Sequence, residues 1–210
     1  ELFNAIKGFS HIQVQRVPLE RLNRYTHKNH QGAIAFVSQT TYQLVSDIVP
    51  TLYEEGKTPF FVVLDGVTDV RNFGAIARTC ECGGVDAIVI PVKGGASVNA
   101  DAVKTSAGAL HTLPVCKESN LVSALKFLKQ CGIRIVVASE KGNKNYTEAN
   151  LYDPVAIVMG AEDKGVSPEI LRLCDEMVSI PIKGNISSLN VSVAAGIMIY
   201  EGVKQRMSQV

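Results

Sequence analysis

The sequence lacks several features that would settle its class at once. Its 210 residues include five cysteines, Cys80, Cys82, Cys116, Cys131 and Cys174, and no two of them form a CxxC pair. An odd count without paired spacing argues against a disulfide framework and a structural zinc site, and leaves buried free thiols in a reducing cytosol. No run of about 18 apolar residues occurs, nor a basic segment leading into an apolar one, so neither membrane insertion nor export is expected. The chain opens on Glu1 rather than Met, which reads as the ordered part of a longer chain. Charge of one sign is scarce as well: 21 Lys and Arg face 20 Asp and Glu, a formal net charge of +1. No global field therefore argues for nucleic acid. Also missing are the dinucleotide fingerprint GxGxxG, the phosphate loop GxxxxGK[ST] and a persuasive Ser/His/Asp order.

What is present is a chain with 46% hydrophobic residues, enough for one domain of about 150 residues and a smaller piece. Residues 1–37 read as a strand at "HIQVQRV", a short helix at "PLERLNRYT" and the segment "HKNHQGAIAFV". So few elements rarely fold alone, which makes this the tail of a small α/β domain. Within it Arg16, Arg21, Arg24 and Lys28, with His27 and His30, outnumber the single Glu20. Such a patch suits phosphate contact or a solvated helix face. Residues 38–57 read as a linker with some helix. From Thr58 to Val210 apolar, β-branched runs recur: "FFVVLD", "DAIVIP", "IRIVVAS", "VAIVMG" and "MVSIPI". Helical segments lie between them, for example after Asn120, an expected N-cap, and before Gly132, an expected C′ glycine. This alternation predicts an α/β fold with a parallel sheet covered on both faces. Ligands of such sheets bind beyond the carboxyl ends of the strands, so function is sought in the loops there.

Three of those loops are unusual. The first, "DVRNFGAIARTC", carries Asn72 as expected N-cap, a small Gly74, and Arg78 in the first two helical turns, close to the strand ends. The second, "MGAEDKGVSP", offers Gly160 for close backbone approach of a ligand, Glu162 beside it, Gly165 for a positive φ, and Ser167–Pro168 to start a helix. The third runs from "IPIKGNISSLN" into a helix of small apolar residues, Val193, Ala194, Ala195 and Gly196. Such small faces let backbones pass at short distance, while Ser187, Ser188 and Asn190 bring polar groups to the boundary.

The three loops together resemble the ordered signature motifs of the SpoU-type RNA ribose 2′-O-methyltransferases, of the SPOUT class. "NFGAIAR" matches the first motif, "MGAEDKG" the second and "SLNVSVAAGI" the third, and "VKTSAGAL" is also similar. The nearest resemblance is to bacterial enzymes that methylate a guanosine of 23S ribosomal RNA, with transfer-RNA guanosine enzymes as close relatives. The resemblance implies a sheet ending in a C-terminal deep trefoil knot, preceded by part of a small ribosomal-protein-like RNA-binding domain. It implies S-adenosylmethionine held by Gly160, Ile180 and Leu189, with Met159, Ile182 and Ser188 as neighbours. It implies Arg78 acting on the ribose hydroxyl, Asn72 and Glu162 orienting Arg78 and the substrate, and Asn190 holding the third loop. It further implies a cytoplasmic homodimer acting on RNA, with no metal and no membrane. Two other classes compete: a non-catalytic RNA-binding or ribosome-assembly protein, and a nucleotide-dependent oxidoreductase. The full set of Arg78, Asn72, Glu162 and Asn190 argues against the first, and the missing GxGxxG against the second.

Overall fold

The structure is a computed structural model that describes residues 15–34 and 41–208. The chain divides into two compact units, Glu1–Val37 and Ser38–Val210. In the first unit helix α1 (Leu19–Asn23) follows Pro18, and His30 Nε2 lies 2.9 Å from Asn23 Oδ1. The strand expected over residues 11–17 falls largely outside the described residues.

The second unit is built on a seven-stranded parallel sheet of order β3-β2-β1-β6-β4-β7-β5. Its strands are β1 (Phe60–Asp65), β2 (Ala87–Pro91), β3 (Val115–Glu118), β4 (Arg134–Ala138), β5 (Lys144–Asn145), β6 (Val155–Gly160) and β7 (Glu176–Ser179). Two of these strands lie outside the recurring apolar runs. β3, "VCKE", is short and half polar, and β5 has two residues, so neither carries the apolar signal of the central strands. The helices are α2 (Val45–Glu54), α3 (Val70–Cys82), α4 (Ala100–Thr105), α5 (Leu121–Gln130), α6 (Pro168–Leu171) and α7 (Val191–Met207).

Alternation along the central strands sorts two cores. Phe60, Val62, Leu64, Ile88, Ile90, Val136 and Ile157 face one side, where they meet Phe73, Ile76 and Ala77 of α3 and Ala195, Met198 and Ile199 of α7. Phe61, Val63, Val89, Ile135, Val137 and Val158 face the other, against α2 and α5. A slip of one residue would exchange the two sets, so two-sided burial fixes the register. The segment expected to be a linker, residues 38–57, carries α2, whose Val45, Ile48, Val49 and Leu52 are buried in the second core. Its apolar residues at i, i+3, i+4 and i+7 are the stripe of a packed helix. Asn120 caps α5 by accepting from Ser123 N, and Gly132 follows with φ +80°.

The C-terminus is tied to the strand starts by Arg206. Its guanidinium donates to the carbonyls of Leu151, Thr58, Pro59 and Asp153, and stacks 4.4 Å from the centroid of the Phe60 ring. Burial pulls its pKa below the ordinary arginine value. Among the described residues no helix is long and apolar enough to cross a membrane.

Gly74 shows what the first loop needs a small residue for. A Cβ there would stand 2.7 Å from both Ala102 O and Thr105 Cβ, so the glycine lets α4 cross α3 at backbone contact. Gly74→Ala should therefore cost about 1–3 kcal/mol through forced separation of the two helices. The melting temperature is expected to fall by about 2–10 °C; an unchanged value in a thermal melt would mean that the helices part without strain.

Candidate active site

The first loop does not begin its helix where the sequence suggested. Asp69, not Asn72, is the N-cap: its carboxylate accepts from Arg71 N at 2.7 Å and Asn72 N at 3.0 Å. Those two bonds hold the Asp69 carboxyl below the usual carboxylate range. An aspartate satisfies two orphan first-turn amides and adds a favourable charge at the helix start. Two consequences follow for the site. Asn72 sits inside the first turn with its side-chain amide free of capping. Arg78 moves to the ninth residue of α3, about 12 Å along the axis from the helix start at 1.5 Å per residue, in the third turn rather than the first two.

The freed Asn72 amide reaches across the sheet edge. Its Nδ2 donates to Glu162 Oε1 at 3.1 Å. The same oxygen accepts from Asn190 Nδ2 at 2.7 Å and from Val191 N at 3.2 Å. Asn190 Nδ2 also donates to Asn72 Oδ1 at 3.1 Å. Asn190 in turn caps α7 by accepting from Ser192 N at 3.0 Å and Ser192 Oγ at 2.5 Å. One carboxylate oxygen thus joins the first turn of α3, the loop after β6 and the start of α7. A charged acceptor strengthens each of these bonds.

The loop carrying Glu162 is built to hold that position. After β6 the chain folds back so that Gly165 N donates to Ala161 O at 2.8 Å, with Gly165 at φ +66°. A Cβ on Gly160 would lie 2.2 Å from Gly165 C and 2.3 Å from Val166 N. The expected reason for this glycine was approach of a ligand; the structure shows that its missing side chain admits the loop's own backbone. Asp65 at the end of β1 accepts from Ser167 N at 2.7 Å and closes the loop from below. Ser167 occupies the N-cap and Pro168 the first position of α6, although the Ser167 side chain makes no capping bond.

Beside this network the strand ends enclose a cleft of about 670 Å³, counted out to its open mouth. Met159, Gly160, Ile180, Ile182, Ser188 and Leu189 all line it, as does Glu162. Asn72, Asn190 and Arg78 do not; the two asparagines flank it through Glu162, and Arg78 is exposed on α3. Among the described residues no hydrogen bond joins Arg78 to Asn72 or Glu162, so the orienting contacts implied for it are absent here. Sequence reasoning missed Ala138 at the end of β4, Ser139 and Glu140 after it, and Val191 and Ala194 on α7. The signal was available: β4 is flanked by β6 and β7, and a ligand beyond the carboxyl ends of those two strands must meet the residues between them.

Val191 is the first residue of α7, and an amide there has no partner within its helix. Glu162→Ala should therefore speed hydrogen exchange at the Val191 amide by about tenfold or more, in line with loss of a charge-assisted bond. An unchanged exchange rate, measured by NMR, would show that the carboxylate does not hold the helix start.

A model of the SpoU rRNA Methylase family matches residues 59–200. The 23S rRNA (guanosine-2′-O-)-methyltransferase RlmB of Photorhabdus laumondii is 40% identical over 179 residues, which cover 85% of this chain and 73% of that protein. Among solved structures, the A. aeolicus TrmH/SpoU tRNA modifying enzyme is 32% identical with a TM-score of 0.67, over 78% of this chain and 85% of its own. The SpoU methyltransferase AviRb from Streptomyces viridochromogenes, in complex with the cofactor AdoMet, is 29% identical with a TM-score of 0.68. That match covers 72% of this chain and 60% of the AviRb chain. The chain belongs to the SpoU rRNA methylase family.

Proposed function

We propose that this chain transfers the methyl group of S-adenosylmethionine to the ribose 2′-hydroxyl of a guanosine in 23S ribosomal RNA. The observation that carries this reading is the convergence of three loops, through the Glu162 carboxylate, on one strand-end cleft. The name of the Photorhabdus relative supports the RNA and the nucleoside. Transfer RNA is the second reading, favoured by the tRNA modifying enzyme among the structural relatives.

The cleft's chemistry fits the donor. Met159, Ile180, Ile182 and Leu189 give an apolar wall for a heterocycle. Gly160, Ile180 and Leu189 would hold the molecule, with Met159, Ile182 and Ser188 beside them. When bound, S-adenosylmethionine supplies a methyl group activated by a sulfonium leaving group. The chain's task is then to position and deprotonate a weakly acidic hydroxyl. Glu162 Oε1 is engaged by three donors, which leaves Oε2 to accept from the ribose. Arg78 stabilises the alkoxide as its proton passes to water. A guanidinium with a pKa above about 12 is a poor base but a permanent cation. Asn72 and Asn190 keep Glu162 in place.

The proposal extends to a homodimer. Val193, Tyr200 and Met207 stand seven residues apart along α7 and are 52%, 51% and 72% exposed. A helix apolar on its outer face as well as its inner one calls for a partner on both. We also propose that the third loop and α7 are threaded as a deep trefoil knot, a rare topology. Close packing of α7 on α3, where a Cβ on Gly83 would stand 2.6 Å from Ile199 Cγ2, supports it. The N-terminal unit is read as part of an RNA-binding domain, and the ribosomal RNA substrate as placing the protein in the cytoplasm.

Binding and transfer should separate. Arg78→Ala is expected to lower methyl transfer to ribosomal RNA at least about 100-fold, with donor affinity by calorimetry changed by less than about twofold. Equal losses of both would contradict the role given to Arg78. Tyr200→Glu should turn a dimer into a monomer in sedimentation, because it buries an unpaired charge at an apolar seam; a dimer that persists would move the interface elsewhere.

A further inference from the structure

We propose that Glu140 binds the ribose diol of the donor, through a carboxylate that the turn after β4 holds at the cleft wall. The inference rests on S-adenosylmethionine as the donor and adds a residue that none of the three motif loops supplies.

The turn is fixed on both sides. Ser139 N donates to Val178 O at 2.9 Å, and Gly142 N donates to Ser139 O at 3.0 Å. Gly142 presses on β7 so closely that a Cβ would stand 2.3 Å from Val178 C. The backbone of Glu140 is therefore pinned between two anchored residues, and the residue lines the cleft beside Met159, Gly160 and Ile180. Two carboxylate residues line this cleft. Glu162 is committed through Oε1 to Asn72, Asn190 and Val191, with Oε2 assigned to the acceptor ribose, whereas among the described residues Glu140 has no hydrogen bond or ion pair. Its position across the sheet decides what it meets. Asn72 follows β1 and Glu162 follows β6, so the acceptor RNA belongs to that side; Glu140 follows β4, one strand further on, next to the Ile180–Ile182 wall that follows β7. The ribose is bonded directly to the heterocycle that this wall would hold. A carboxylate accepts only, and a vicinal diol presents two O–H donors to it, the pairing that acidic residues make with nucleotide ribose in other α/β sheets.

Calorimetric titration of the wild-type chain and of E140A with S-adenosylmethionine and with 5′-methylthioadenosine, which keeps the diol but lacks the amino-acid tail, tests this. E140A should weaken both ligands roughly 10- to 100-fold, the loss of charge-assisted hydrogen bonds. E140Q, which keeps one acceptor oxygen, should lose less. The exposed turn predicts an unchanged melting temperature for both variants. Loss for S-adenosylmethionine alone would place the carboxylate on the α-ammonium and overturn the diol assignment. Unchanged affinity for both would remove Glu140 from the site while leaving the donor intact. Failure of the wild-type chain to bind either ligand would overturn the donor itself, and this inference with it.

Discussion

One carboxylate oxygen organises the functional edge of this protein. Glu162 Oε1 takes hydrogen bonds from Asn72 and, more than a hundred positions further along the chain, from Asn190 and the Val191 amide. The donors come from two distant helix starts and the acceptor from a loop, and a loop alone fixes little, because ordering it costs conformational entropy. The cost is shared here by rigid supports: Asp69 caps α3, Asn190 caps α7, and Asp65 with Gly160 holds the turn that carries Glu162. The cleft of Gly160, Ile180 and Leu189 opens beside that node. The proposed transfer from a small donor to a large RNA would need this kind of preorganisation, since a displacement of 1 Å can cost about 100-fold in rate.

Small residues at this edge serve packing between segments of the chain before they serve a ligand. Gly74 admits α4 onto α3, Gly160 admits its own loop, and Gly142 admits β7. At each, an added Cβ would meet backbone, and at Gly74 the Thr105 Cβ as well, rather than the far end of a yielding side chain, so the constraint is steric and local. The cleft's surface follows indirectly, from where these close approaches place Met159, Glu162 and Glu140.

Much of the fold was legible in the sequence. The β1 and β6 strands are continuous apolar runs bounded by turn residues, and Asn120 and Gly132 bracket α5 by side-chain and φ chemistry that a sequence displays directly. The lining of the cleft was legible through the motif resemblance: all six residues expected to hold the donor do line it. What was not legible has particular causes. Asp69 and Asn72 are both good caps three residues apart, and propensity does not choose between them; tertiary bonds to Glu162 did, and they shifted Arg78 by nearly a turn. Some helix was expected within residues 38–57, but not its burial, which depends on the face of a sheet formed by distant strands. The two-residue β5 has no periodicity to read, and Glu140 has no motif to announce it.

This edge is proposed to methylate a guanosine ribose in ribosomal RNA. The most direct test is transfer of radiolabelled methyl from S-adenosylmethionine to unmodified 23S ribosomal RNA and, in parallel, to unmodified transfer RNA, followed by nucleoside digestion. Label is expected in 2′-O-methylguanosine from the ribosomal pool alone. Label confined to transfer RNA would replace the substrate, label on a base would contradict the chemistry, and no label in either pool with the donor bound would leave the chain a binding protein.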